Sequence, residues 1–395
     1  MPAPGSVRTG LFPTVKHWYV VLAVGLLNAL LLLLLINIAL YAIMRFRHPA
    51  PPITARFSDH FDPEKLQQAY PGWSEDKVKA MIRETPRADR EFEYEPMTGF
   101  RERPFRGRFV NVDSAGFRYS KDQAPWPPQP ENRNVFIFGG STAFGYFLPD
   151  DETIPSHLQE IANTSDSKTK WAIYNFARPA YFSSQELILF QQLLRDGHVP
   201  QVAVFIDGLN EFIFADGDPK FTAELRSFMD GKTESNPLQR LPMVDAYHRL
   251  EAHLHKPPAS AGNTTSEPNY ADPTLVREVA ERWLANRKMI ESIGKAYGVR
   301  VLFVWQPVPM YEYDLRYHFF LHDEKAFGGF IRAKYGYALM DGMRRSFDGD
   351  VLWLAGMQQD KHENLYVDSV HYNDAFSKEI AAKIWNTLNP QLSGN

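Results

Sequence analysis

Asn134-Val-Phe-Ile-Phe-Gly139-Gly140-Ser141-Thr142 is the stretch whose reading decides the fold. Its first five residues are almost wholly apolar, the composition of a strand covered on both faces. Two glycines then permit a tight turn and a close backbone approach, and a serine follows at once. Outward from this stretch, similar runs occur at 171–175, 201–206, 299–305 and 350–354. Helical patterns fall between and after them, at 152–162, 184–196, 274–297, 323–346 and 374–388. Alternating strand and helix predicts a five-stranded parallel sheet in a three-layer α/β/α sandwich of flavodoxin-like type. In such sheets sites form beyond the carboxyl ends of the strands.

Three more segments sit at strand ends or in the last loop: Asn175-Phe-Ala177, Asp207-Gly208-Leu-Asn210 and Tyr366-Val-Asp368-Ser-Val-His371. A serine hydroxyl is a weak nucleophile until a base takes its proton, and Asp-x-x-His just before a last helix can supply an oriented imidazole. The serine turn is not a phosphate loop, because no Gly-Lys-Ser/Thr follows it. Nor is it the Gly-x-Ser-x-Gly elbow, because Ala143 stands two residues after Ser141.

In order and placement these four blocks resemble those of the SGNH (GDSL-like) hydrolase family over residues 110–390. The resemblance implies Ser141 as nucleophile, His371 as base and then acid, and Asp368 as its orienting partner. It implies an oxyanion hole made by the Ser141 N–H, the Ala177 N–H and the Asn210 side-chain amide. Gly140 and Gln306 are the expected substrate contacts, Asn175 holds the second turn, and Asp374 caps the last helix. The chain has Gly-Gly-Ser-Thr for Gly-Asp-Ser-Leu, Ala177 for the usual glycine, and no glycine after the histidine. Asn111 to Arg118 resembles the Asn…Gly-x-Arg lead-in of some membrane-attached members. The implied chemistry acts on an ester, O-acetylated envelope glycan being one candidate, and needs no metal or cofactor. The same acyl-serine could pass its acyl group to a sugar hydroxyl beside a membrane O-acyltransferase partner. A catalytically silent scaffold is the non-enzymatic alternative.

Residues 18–44 carry no charge. As a helix they would span about 40 Å against a hydrocarbon core of roughly 30 Å. An uncleaved signal anchor is predicted, and Asn28 and Asn37 within it could contact another membrane helix. Arg8 and Lys16 before the span nearly balance Arg45, Arg47 and Arg56 after it. A short leading tail and a large following domain favour a periplasmic or other extracytoplasmic position. The expected organisation is a tail at 1–17, the anchor at 18–44, a lead-in and linker at 45–130, and the hydrolase domain at 131–390. An insertion at 212–272 is expected to form a lid or a partner surface. A net charge of -4 without basic tails gives no sign of nucleic acid, and the absence of cysteine excludes disulfide and thiolate chemistry. His253/His255 and His318/His322 are not read as metal sites. Asn163-Thr-Ser and Asn263-Thr-Thr match the glycosylation pattern.

Overall fold

The computed structural model describes residues 12–47, 65, 68–85, 92–166, 168–229, 241–244, 246–247, 269–347 and 351–389. Two compact units emerge: Met1–Arg56 with Ser227–Thr265, and Phe57–Arg226 with Ser266–Asn395. The first unit holds α1 (Phe12–Arg47), whose Lys16–Ile43 stretch is long and apolar enough to cross a membrane.

The second unit begins with α2 (Glu75–Glu84), capped by the Ser74 hydroxyl. Two hairpins follow: β1 (Phe92–Glu95) with β2 (Gly99–Glu102), and β3 (Phe105–Arg106) with β4 (Asn111–Val112). Next come β5 (Arg133–Gly139), α3 (Ser141–Phe144), α4 (Ile154–Ser165), β6 (Trp171–Asn175), α5 (Ser183–Arg195), β7 (Val202–Asp207), α6 (Leu209–Ile213) and α7 (Thr222–Met229). The chain closes with α8 (Pro273–Tyr297), β8 (Arg300–Trp305), α9 (Arg332–Met343), β9 (Val351–Trp353) and α10 (Asp374–Leu388).

The main sheet is parallel, ordered β6-β5-β7-β8-β9, and all five strands were legible from their apolar runs. Side chains alternate between its faces as the pleat demands. Phe136, Phe138, Ala203, Phe205, Phe303 and Trp305 pack on α5, α8 and α9. Val135, Ile137, Val202, Val204, Leu302 and Val304 pack on α4 and α10. The helix expected at 323–346 is divided: Glu324–Ile331 is 3-10, broken at Gly328 (φ 53°), and only Arg332–Met343 is α-helical. The insertion expected at 212–272 is described only in part. It contributes α7 and, at its far end, Asp272, the N-cap of α8. Asn263 and the His253/His255 pair lie outside the described residues.

The lead-in is not the irregular linker expected. Backbone bridges join Val112 to Arg118 and Arg118 to Asn175, tying it to the edge strand β6. The Arg118 side chain is buried at 1% exposure. Its guanidinium donates to the carbonyls of Phe144 (3.0 Å), Gly145 (2.7 Å) and Leu148 (2.6 Å), and to Asp150 Oδ1 (2.9 Å). Asn111 Nδ2 donates to the other oxygen of Asp150 at 2.8 Å. The Phe144 and Gly145 carbonyls end the short helix that begins at Ser141, so Arg118 satisfies groups that helix cannot satisfy itself. Removing one partner of a buried ion pair typically costs about 3–5 kcal/mol. Arg118→Met should lower the unfolding free energy by about that amount in a denaturant titration, with Asp150→Asn in the same chain recovering part of it.

Candidate active site

Each site segment leaves the sheet at a carboxyl end. Gly139 ends β5 at φ 151°, a conformation L-residues rarely adopt. A Cβ there would lie 2.7 Å from Ala143 Cβ and 2.8 Å from the Ile206 carbonyl oxygen. A Cβ on Gly140 would collide with Asn210 Nδ2 and lie 3.3 Å from the Tyr181 carbonyl oxygen. The pair of glycines therefore lets the serine turn lie directly against the turn after β7. Ser141 is the first residue of α3, and its N–H has no acceptor within that helix.

The structure brings Ser141, His371 and Asp368 into one hydrogen-bonded chain. His371 Nε2 lies 2.7 Å from Ser141 Oγ, and Nδ1 lies 2.6 Å from Asp368 Oδ2. Asp368 Oδ1 accepts the backbone N–H groups of Val370 (2.9 Å) and His371 (2.7 Å). Burial pushes the Asp368 carboxyl up, but the neighbouring His371 and these hydrogen bonds outweigh it and hold the group below its ordinary value. The imidazole is fixed between aromatic rings, Tyr146 at 5.2 Å and Phe147 at 5.6 Å between centroids. Neither ring was anticipated, because no motif marks them. Such a serine, base and carboxylate can carry out acyl transfer.

The three expected oxyanion donors are placed unequally. The Asn210 amide lies beside Gly140 and spends one hydrogen on the Tyr181 carbonyl at 2.6 Å, leaving the second. Ala177 is buried at 1% exposure, and its N–H donates to Asn175 Oδ1 at 3.1 Å. Asn175 Nδ2 reaches the carbonyls of Ala143 and Phe144, both at 3.3 Å, so Asn175 holds the turn as expected. The expectation for Ala177 is thus corrected: a local turn bond takes its amide. Ala180, three residues on, is half-exposed at φ 65° and precedes the carbonyl that Asn210 engages. Among the described residues no acceptor engages the Ala180 N–H.

Gln306 is also corrected. It is buried at 3% exposure, beneath the serine turn rather than on its open side. Thr142 Oγ1 donates to Gln306 Oε1 at 2.5 Å, and the Tyr372 hydroxyl lies 3.2 Å from the same oxygen. One carboxamide thus touches the residue after Ser141 and the residue after His371. Asp374 is not the cap of the last helix: Asn373 is, through the Phe376 N–H, and Asp374 Oδ1 meets His157 Nε2 at 2.7 Å. His318 serves its loop, its Nδ1 accepting the N–H groups of Phe320 and Leu321, and burial lowers its pKa to about 4.

Gly140, Asn210 and Gln306 line one narrow crevice together with Glu186, Asp207 and Glu211, and it has no room for a water molecule. All three acids are nearly inaccessible. Burial raises each: Glu186 well above its ordinary range, Asp207 to about 6 and Glu211 to about 7. Trp283 Nε1 donates to Asp207 Oδ2 at 2.9 Å, and Glu211 Oε1 accepts the Ser183 N–H at 2.6 Å. Through these bonds Asp207 and Glu211 tie the turn after β7 to α8 and α5.

No family model and no curated protein matches this chain. Similar solved structures include a G-D-S-L family protein from Desulfitobacterium hafniense (11% identity, TM-score 0.36), covering 65% of this chain and 99% of that one. Esterase EstA from Pseudoalteromonas sp. is 11% identical, with TM-score 0.36 and coverage of 67% and 100%. The lipase/acylhydrolase from Enterococcus faecalis is 14% identical, with TM-score 0.37 and coverage of 66% and 96%. At these TM-scores the likenesses add no weight to the geometry above.

Two outcomes are expected. Gln306→Leu strands the buried Thr142 hydroxyl, at a cost of about 1–3 kcal/mol. It should also slow covalent labelling of Ser141, while Gln306→Glu, which keeps an acceptor oxygen, should do so less. A carboxyl raised on folding stabilises the protein fully below its unfolded pKa and loses that contribution as pH rises through its folded pKa. The melting temperature should therefore fall as pH rises from the ordinary 4.5 of Glu211 to its folded value of about 7, and Glu211→Gln should flatten that fall.

Proposed function

We propose that this chain is a membrane-anchored serine hydrolase of SGNH type that cleaves esters through an acyl-serine intermediate. The observation that carries the proposal is the continuous Ser141–His371–Asp368 hydrogen-bonded chain, at 2.7 and 2.6 Å. Ser141 Oγ attacks the ester carbonyl while His371 Nε2 takes its proton. Asp368 holds the Nδ1 proton in place and stabilises the imidazolium that forms. The developing oxyanion faces the Ser141 N–H and the free hydrogen of the Asn210 amide, with the Ala180 N–H as third donor in place of Ala177. His371 then protonates the leaving alcohol, and water attacks the acyl-serine by the same route in reverse. The Gly-Gly turn seats Ser141 beside the Asn210 amide, so Gly140 borders the substrate.

We take the apolar stretch of α1 as the anchor, with the hydrolase unit on the extracytoplasmic side. Esters carried on envelope glycans are the substrate class that this placement favours. A sugar hydroxyl that reached the acyl-serine before water would make the product a transferred acyl group.

A fluorophosphonate probe should label the full chain, and Ser141→Ala or His371→Ala should abolish labelling. Asn210→Ala should slow ester turnover by about 10²–10³-fold, the usual loss of one oxyanion donor. Turnover of small acetyl esters supports hydrolysis, whereas an acyl-enzyme that builds up until a glycan is added supports transfer. A folded chain that never takes the probe would sink the proposal.

A further inference from the structure

Asn37 is a polar residue set within the apolar stretch of α1, and the structure gives it a partner from the insertion. Its side chain is 7% exposed, whereas Ile36 and Ile38 beside it are 39% and 55% exposed. Asn37 Nδ2 donates to the Leu33 carbonyl at 2.8 Å, and Asn37 Oδ1 accepts the Met243 N–H at 3.1 Å. Around Met243 the insertion runs Leu241, Pro242, Met243 and Val244, all half-buried and apolar, followed by Ala246 and an exposed Tyr247. Met243 lies in the first turn of a helical segment, where an N–H has no acceptor of its own; Asn37 supplies one from another part of the chain.

The depth of Asn37 fixes where this contact lies. The apolar stretch Lys16–Ile43 is centred between residues 29 and 30. Asn37 is then about 11 Å from the bilayer midplane at 1.5 Å per residue. Half the hydrocarbon core is about 15 Å, so Asn37 lies roughly 4 Å inside its boundary. An unpaired amide or N–H at that level is costly, and here each satisfies the other. Segments that lie in the interface bury an apolar face about 5–10 Å into this region and often carry aromatic residues there.

We infer that residues 241–244, 246 and 247 dock on α1 at Asn37 and lie in the headgroup boundary of the lipid bilayer, giving the insertion its own membrane contact. This rests on the membrane-spanning role of α1 proposed above. It turns the insertion from a free excursion into a second tether on the side of the membrane where α1 ends.

The chain has no cysteine, so single cysteines introduced into it can be spin-labelled without background. The test uses the full chain in phosphatidylcholine–phosphatidylglycerol vesicles with Met243→Cys, Leu31→Cys or Tyr94→Cys. Collision rates are read against oxygen, which enters lipid, and a nickel chelate, which stays in water. The oxygen-to-nickel ratio at 243 should approach that at 31 and exceed that at 94 several-fold. Adding Asn37→Leu to Met243→Cys should lower the ratio toward the value at 94. A ratio at 243 equal to that at 94, with 31 still in lipid, overturns the docking inference and leaves the span intact. An aqueous label at 31 overturns the span and the inference with it.

Discussion

The whole arrangement depends on a steric constraint at the carboxyl edge of the sheet: two backbones must approach more closely than any side chain allows. Gly139 faces the Ile206 carbonyl, and Gly140 faces the Asn210 amide. Without a Cβ at either position, the turns after two neighbouring strands share one small space. Ser141 on one turn and the Asn210 amide on the other are thereby held side by side. The hydrogen-bonded chain through His371 completes this geometry but does not create it.

Around that contact the protein places a layer of buried polar groups that fix backbone rather than touch substrate. Arg118 gathers the carbonyls at the end of α3. Asn175 braces the same helix from β6, and Gln306 sits beneath Thr142 and Tyr372. Glu186, Asp207 and Glu211 lie under the turn that carries Asn210. Burying such groups is costly unless their hydrogen bonds are made, so each rigidifies only what it is bonded to. The site is stiff because its supports come from the lead-in and from three strand ends.

The strands and the sheet class were legible in the sequence, and so was the grouping of Ser141, Asp368 and His371 that the structure brings together. Apolar runs and small-residue turns are local signals, and the Asp-x-x-His spacing is local too. Ala177 was misread because spacing says nothing of where an amide points; Asn175 Oδ1, two residues away, captures it. Ala180 left no signal, since a left-handed alanine looks like any other alanine in a sequence. Gln306 stood at a strand end, as binding residues do, but its direction was set by Thr142 and Tyr372, both remote in sequence. The hairpins of the lead-in were missed because strands of two to four residues are too short to show a period. Asn373 and Asp374 are both good capping residues, and only the Phe376 and His157 contacts separate their roles.

The reach of Arg118 bears on what counts as a module in this protein. A boundary drawn at residue 130 falls just ahead of the sheet, which starts at Arg133. A piece cut there would keep the serine turn yet lose the guanidinium that completes its helix, along with the bridge from Arg118 to the edge strand. Shuffling between proteins would therefore have to carry the lead-in and the sheet together. The heritable unit begins well upstream of the first strand that bears the chemistry.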